Sequence, residues 1–153
     1  MIYTLLLIGC PEPPKTNSET VLEALEGTWT GELNCYQEGM SSSGQASLVL
    51  EKSDDLVSGS INFSGTEPSE FTTTAALELW LDENDELDGA WSDCEIDAEL
   101  SDLECHFWSQ PQEPDFRPNS WSLNEEKTIF SILESPHVES EAQKCYGDLV
   151  KTD

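Results

Sequence analysis

Short runs of alternating apolar and polar residues constrain the fold of this chain more than any other feature of its sequence. Successive side chains of a β-strand point to opposite faces, so such alternation indicates a strand with one buried face. Apolar or small residues occupy every second position in five runs, at residues 29–35, 46–50, 57–63, 77–81 and 94–98. Turn-rich pieces separate these runs, at residues 38–44, 53–55, 65–70, 82–86 and 110–119. This spacing predicts an all-β fold, a single antiparallel up-and-down barrel or sandwich of about eight strands.

Two segments depart from the alternating pattern. Near the N-terminus, Asn17 or Ser18 can cap a short helix, and Gly27 lies where a helix often stops. Near the other end, the apolar residues within 125–134 fit a buried strand and a short helix equally well. We therefore expect one β-barrel-like domain over residues 18–153, with a short helix before the sheet.

The charge balance excludes one class of partner. The chain has 153 residues, with 32 Asp and Glu against 6 Lys and Arg, and its formal net charge is −26. Nucleic acids need a basic surface, and the few cations do not cluster, so nucleic acid is excluded as a partner. A negative field of this size favours cations and basic proteins, and it is also typical of the solvated surface of a soluble exported protein.

The cysteines predict two disulfides. The chain has five of them, at positions 10, 35, 94, 105 and 145. Folding residues 95–104 as a hairpin places Cys94 opposite Cys105, and the same register also pairs apolar residues across the hairpin. Cys35 is then left to pair with Cys145, linking the first strand to the last segment, as expected where a sheet closes on itself. Four cysteines allow three pairings, of which we favour this one.

The fifth cysteine, Cys10, follows an uncharged apolar run and precedes a proline-rich piece. The run is too short to span a bilayer. Leu7-Ile8-Gly9-Cys10 resembles the bacterial lipobox, in which the cysteine is lipidated and becomes the mature N-terminus. The resemblance implies that residues 1–9 are the remnant of a signal peptide and that residues 10–17 are a lipidated cysteine with its tether. It also implies an exported protein of the cell envelope, held to a lipid bilayer by acyl chains such as palmitate on Cys10.

A second resemblance lies at the start of the first alternating run. Gly27-Thr28-Trp29 resembles the Gly-x-Trp signature of lipocalins and their calycin-type relatives, small antiparallel barrels that bind apolar ligands. In that family the tryptophan plugs the closed end of the barrel, and the glycine lets the chain turn beneath it. The similarity covers about residues 25–33, and the later Thr-Asp-Tyr and arginine signatures of lipocalins are absent. The resemblance implies a barrel whose interior takes a small ligand.

Motifs for catalysis or metal binding are not found. The two histidines are His106 and His137, and neither belongs to a recognisable Ser-His-acid set. The sequence also has no Gly-x-Ser-x-Gly, Cys-x-x-Cys, His-Glu-x-x-His, Walker or Rossmann pattern. Residues 82–88 place oxygen ligands at alternate positions, as in a calcium loop, but the glycine and glutamate that an EF-hand requires are missing. We favour a hairpin turn there. The sequence therefore predicts a non-enzymatic protein without a metal or cofactor.

Tryptophans remain as candidate ligand-binding residues, namely Trp29, Trp80, Trp91 and Trp108. A barrel mouth lined by tryptophan and acidic residues would hold a small apolar or cationic molecule. Trp80 and Trp108 are of special interest because each has the parity opposite to the apolar face of its strand. The leading hypothesis is a membrane-tethered binding module for such a ligand. The alternative is an envelope interaction protein with a filled core, whose acidic exterior binds a basic protein.

Overall fold

One eight-stranded antiparallel sheet, curled into a half-barrel and preceded by one short helix, makes up the described fold. The computed structural model describes residues 17–37, 40–66, 70–98, 119–134 and 144–153. The elements are α1 (Asn17–Leu25), β1 (Gly27–Gln37), β2 (Met40–Ser53), β3 (Leu56–Gly65), β4 (Phe71–Leu81), β5 (Leu87–Ala98), β6 (Asn119–Leu123), β7 (Ile129–Glu134) and β8 (Lys144–Lys151). The predicted all-β class and strand number are thus confirmed, as is the short helix.

The strands follow the order β5-β4-β3-β2-β1-β8-β7-β6 across the sheet. Two meanders, β1 to β5 and β6 to β8, are joined because the first and last strands pair with each other, from Trp29 opposite Lys151 to Tyr36 opposite Lys144. The outer strands β5 and β6 have Cα atoms within 8 Å of each other but form no ladder among the described residues. The sheet therefore has a seam between β5 and β6, and we call it the β5–β6 seam.

The concave face of the sheet is filled by side chains. Its alternating positions are buried as the sequence predicts, for example Leu48 and Leu50 in β2 and Leu77 and Leu79 in β4. The largest fully buried side chains are Trp29, Phe63, Phe130, Leu25, Leu33, Leu48, Leu50, Ile61, Leu77, Leu79 and Ile132. Because helix α1 contributes Leu25 to this set, it belongs to the core and covers one end of the half-barrel.

Three details of the strands differ from the sequence pattern or extend it. The predicted turn over residues 38–44 is too long, because residues 40–44 already pair with β1. A Cβ at Gly44 would collide with the backbone oxygen of Ser64, so this glycine permits the close approach of β2 and β3. The ambiguous segment 125–134 contains a turn followed by strand β7. Its Phe130 is fully buried because it faces the concave side.

Strand β5 combines two opposite alternation patterns. Its register against β4 shifts between Thr74 and Ala76, and Asp93 at the shift has a left-handed backbone with φ of 50°. Such an extra residue is a β-bulge, which moves the following side chains to the other parity. Trp91 before the bulge and Cys94 after it therefore both pack against the core.

The predicted disulfide between Cys35 and Cys145 is confirmed. The two residues are directly opposite each other in the β1–β8 ladder, with Cα atoms 4.0 Å apart. Cys94 is also disulfide-bonded. Its predicted partner Cys105 lies outside the described residues, so that pairing stays a prediction. Residues 1–16, which include Cys10 and the lipobox, also lie outside them.

Lys151 and Trp29 hold the end of helix α1 onto the sheet. The Lys151 ammonium donates a hydrogen bond to the Ala24 carbonyl over 2.9 Å, and it lies 5.3 Å from the centre of the Trp29 ring. Trp29 Nε1 donates to the Leu25 carbonyl over 2.8 Å. Two carbonyls that the helix end leaves without helical partners are thereby satisfied. Gly27 has a φ of 130°, which favours glycine where the chain turns from the helix into β1.

Asp153 is expected to make the stability of the protein depend on pH. Thr28 donates its backbone N–H to Asp153 Oδ1 over 2.8 Å, and this bond lowers the pKa of Asp153 below its ordinary value of 3.8. A group whose pKa is lower in the folded state than in the unfolded state stabilises the protein at pH values above its unfolded-state pKa. This stabilisation is lost as the pH falls through the folded-state pKa. We expect Asp153→Asn to destabilise the protein at pH 7, and we expect that difference from the native chain to shrink at pH 3 in urea unfolding. Asp55→Asn, at an exposed turn, is the control. A difference between Asp153→Asn and the native chain that does not change with pH would contradict this role.

Candidate functional site

A cleft of about 510 Å³ opens along the β5–β6 seam. Helix α1 contributes Val21 to its wall, the start of β5 contributes Leu87, and β6 contributes Trp121 and Leu123. The cleft exists because the two outer strands approach each other without pairing over these residues. We call it the seam cleft. Since α1, β5 and β6 are distant in sequence, only the curled sheet brings these side chains together.

Two hairpin turns form the rim of the seam cleft. In the β4–β5 turn, Asp82 Oδ1 accepts hydrogen bonds from the backbone N–H groups of Asn84 and Glu86, over 2.8 and 3.0 Å. In the β6–β7 turn, Asn124 Oδ1 accepts from those of Thr128 and Ile129, over 2.7 and 2.8 Å. An Asp or Asn side chain that bonds to following backbone groups is a well-known way to stabilise a turn. Both rims are therefore built by local hydrogen bonds.

The same bonds explain residues 82–88, where alternate oxygen ligands resemble a calcium loop. The Asp82 carboxylate is engaged by backbone donors of its own turn. Asp88 accepts from the backbone N–H of Gly89 over 2.9 Å. In the part of the chain that the structure describes, no three His, Cys, Asp or Glu side chains are grouped so that they could hold a metal ion. The predicted hairpin turn is confirmed at this position.

Trp121 is the most unusual residue in the wall of the seam cleft. It is only 7% exposed, and its Nε1 is buried with no hydrogen-bond partner among the described residues. Trp29, by contrast, donates its indole N–H to the Leu25 carbonyl. A buried donor without an acceptor costs about 1–3 kcal/mol, and such groups are rare in folded proteins. Trp121 therefore brings to the cleft wall a buried hydrogen-bond donor that the described residues leave unsatisfied.

Charged side chains surround the apolar wall. Glu86, Asp88 and Glu125 contribute three carboxylates, and Lys127 contributes one ammonium group. Lys127 Nζ donates to the backbone carbonyl of Thr20 over 3.3 Å, so it joins the β6–β7 turn to helix α1. Among the described lining residues, three carboxylates stand against one ammonium group, so this part of the mouth is negative, in keeping with the charge of the whole chain.

The four tryptophans that are candidate ligand-binding residues from the sequence do not lie in one site. Trp29 and Trp91 are buried on the concave face, where they are part of the core. Trp80 lies half-buried on the convex face of β4, as its parity predicts, and it does not line the seam cleft. Trp108 lies outside the described residues. Sequence reasoning missed Trp121 as a site residue, although the alternation Ser120-Trp121-Ser122-Leu123 is a strand signal.

A second depression, of about 610 Å³, lies at the opposite end of the strands. Its lining includes Gly65, Phe71 and Asp97, and it is shallow and more polar than the seam cleft. Among the described residues, no buried polar side chain without a partner lines it. The seam cleft is therefore the stronger candidate for a ligand site.

Comparison with known proteins identifies no relative. No protein-family model matches the chain, no curated protein matches it, and no solved structure matches its fold. Among the described residues, no helix combines the length and the apolar character needed to cross a bilayer.

Proposed function

We propose that this protein is an exported lipoprotein, tethered to a membrane through Cys10, whose half-barrel is a non-enzymatic binding module for a small ligand. The observation that carries the proposal is the seam cleft. Its volume of about 510 Å³ is typical of sites for small molecules, which combine an apolar wall with a few polar groups. The proposal assigns the ligand to the cleft, because Trp29, Phe63 and Phe130 fill the concave face.

The proposed tether is supported by the sequence before helix α1. Leu7-Ile8-Gly9-Cys10 has the lipobox pattern, and a proline-rich piece follows it. Each buried CH₂ of an acyl chain contributes about 0.8 kcal/mol to membrane binding, so several chains on Cys10 would anchor the protein stably. The disulfide between Cys35 and Cys145 is consistent with export, since disulfides persist mainly outside the reducing cytosol.

Fluorescence titration with prodan, a neutral naphthalene ketone, tests the binding site. We expect the full chain carrying Cys10→Ala, which needs no detergent, to bind prodan saturably at one site. Val21→Trp and Leu123→Trp each fill the seam cleft from a different element and should weaken binding about tenfold or more, about 1.4 kcal/mol. The matched control is Val49→Trp, because Val49 is 45% exposed on the convex face. Absent saturable binding, or equal losses in all three variants, would overturn the assignment.

Mass spectrometry of the chain produced in a bacterium tests the tether. The membrane fraction should contain a protein that lacks residues 1–9 and carries acyl chains on Cys10. The Cys10→Ala variant should instead keep residues 1–9 and lack acylation, because the lipid is attached to the cysteine sulfur. An unmodified Cys10 in soluble protein would contradict the tether while leaving the prodan result unaffected.

A second candidate function is favoured by the filled concave face together with the net charge of −26. An envelope protein of this kind would bind a basic protein through its acidic exterior. Such binding weakens as salt is added, because exposed charges are screened within about 8 Å at physiological ionic strength. Lack of prodan binding, combined with salt-sensitive binding of a basic protein, would favour this function over the first.

A further inference from the structure

We infer that the seam cleft selects a neutral ligand with an apolar body and a hydrogen-bond acceptor, such as a carbonyl oxygen, which accepts from Trp121 Nε1 once a small turn of the indole ring brings that buried atom to the surface of the cleft. The inference rests on the proposed function and specifies the class of ligand. Three observations support it: a donor without a partner among the described residues, the apolar wall and the sign of the charges at the mouth.

The donor determines what the ligand must supply. An indole N–H donates and cannot accept, so only an acceptor satisfies Trp121. This residue is 7% exposed, and its Nε1 has no partner among the described residues. A hydrogen bond formed there is shielded from water and is electrostatically stronger than one at the surface. A protonated amine has no lone pair to offer, so a purely cationic ligand would leave the donor unsatisfied.

The wall determines the body of the ligand. Val21, Leu87 and Leu123 come from helix α1 and from the two outer strands, and together with the Trp121 ring they give the cleft mostly apolar surface. Burying apolar surface against them favours a ligand with a hydrophobic body. The volume of about 510 Å³ accommodates a body of two or three fused rings.

The charged side chains at the cleft determine which charge the acceptor group of the ligand can carry. Carboxylates and sulfonates are strong acceptors, but Glu86, Asp88 and Glu125 line the same cleft and repel anions. Among the described residues that line the cleft, the cation is Lys127, and it already donates to the Thr20 carbonyl. A neutral acceptor is therefore the chemistry that suits both the indole donor and the acidic mouth.

Replacing Trp121 with 3-benzothienylalanine tests the donor directly. This residue keeps the shape of tryptophan and exchanges the indole N–H for sulfur. We expect the affinity for prodan, whose ketone is the acceptor, to fall about tenfold, because one buried hydrogen bond is lost. Without prodan, the melting temperature should stay the same or rise, because an unsatisfied donor is removed. The same replacement at Trp80, on the convex face, is the control and should leave prodan binding unchanged.

An anionic probe tests the charge argument. 1-Anilinonaphthalene-8-sulfonate has a similar aromatic body but carries a sulfonate, and we expect it to bind at least tenfold more weakly than prodan. The double variant Glu86→Gln and Glu125→Gln should strengthen its binding and leave that of prodan unchanged, because the repulsion acts only on the anion.

The outcomes separate this inference from the proposed function. Prodan binding that survives the Trp121 replacement, but is lost in Leu123→Trp, would overturn the inference and leave the small-molecule site in place. Equal affinity for the sulfonate probe would overturn the neutral class in the same way. Failure of prodan to bind the native cleft would overturn both this inference and the proposed ligand site, and would leave the tether untouched.

Discussion

Removing the disulfide between Cys35 and Cys145 is expected to lower the free energy of unfolding by about 4–5 kcal/mol in the chain-entropy model. The bond closes a loop with a sequence separation of 110 residues, and the restriction of the unfolded chain grows with the length of the loop. It also joins the two meanders across the β1–β8 ladder, the pairing that makes them one sheet. Urea unfolding of the double variant Cys35→Ala and Cys145→Ala measures the effect.

The double variant Cys94→Ala and Cys105→Ala is the control for this prediction. If these cysteines pair as the sequence predicts, their loop is much shorter, and its loss should cost about 3 kcal/mol or less. Equal losses for the two pairs would contradict the chain-entropy explanation. A loss below about 1 kcal/mol for the Cys35–Cys145 pair would contradict the role of the disulfide in stabilising the fold.

Trp29→Ala is expected to lower the free energy of unfolding by about 3–5 kcal/mol, the usual cost of deleting a large buried aromatic side chain. Trp29 is fully buried, and its ring centre lies 6.0 Å from that of Phe130. The substitution also removes the hydrogen bond to the Leu25 carbonyl and the ring beneath the Lys151 ammonium, so it should loosen helix α1 as well.

Trp80→Ala is the matched control, because Trp80 is the same residue type on the opposite face of the sheet. It is half-buried and outside the core, and its deletion should cost no more than about 1 kcal/mol. Chemical unfolding of both variants checks the comparison. Equal destabilisation would show that the convex face contributes as much packing as the concave one, contrary to the burial of the two residues.

Local alternation was enough to predict most of the sheet. A run such as Trp29 to Cys35 shows which side chains face inward, because the two faces of a half-buried strand differ in their exposure to water. The pairing of Cys35 with Cys145 also followed, once a hairpin register had been assigned to the other two body cysteines. The bulge at Asp93, which lets both Trp91 and Cys94 face the core, was not predicted.

The seam cleft could not be predicted in the same way. The cleft lies where β5 and β6 approach each other without pairing. The curvature of the whole sheet sets the distance between these two strands, and neither strand determines it alone. The alternation around Trp121 predicts an inward side chain, but it does not predict that the described residues offer no acceptor for its N–H. Whether a buried donor finds an acceptor depends on the tertiary arrangement, so no local sequence pattern predicts an unsatisfied donor.

Nuclear magnetic resonance shows whether a ligand binds at the seam cleft against Trp121 or within the filled concave face. The five tryptophans of the chain give five indole N–H signals, which Trp→Phe variants assign. Titration with prodan should shift the Trp121 signal and leave those of Trp29 and Trp80 in place. A shift of the Trp29 signal while that of Trp121 stays unchanged would place the ligand in the concave face and overturn the seam cleft as its site.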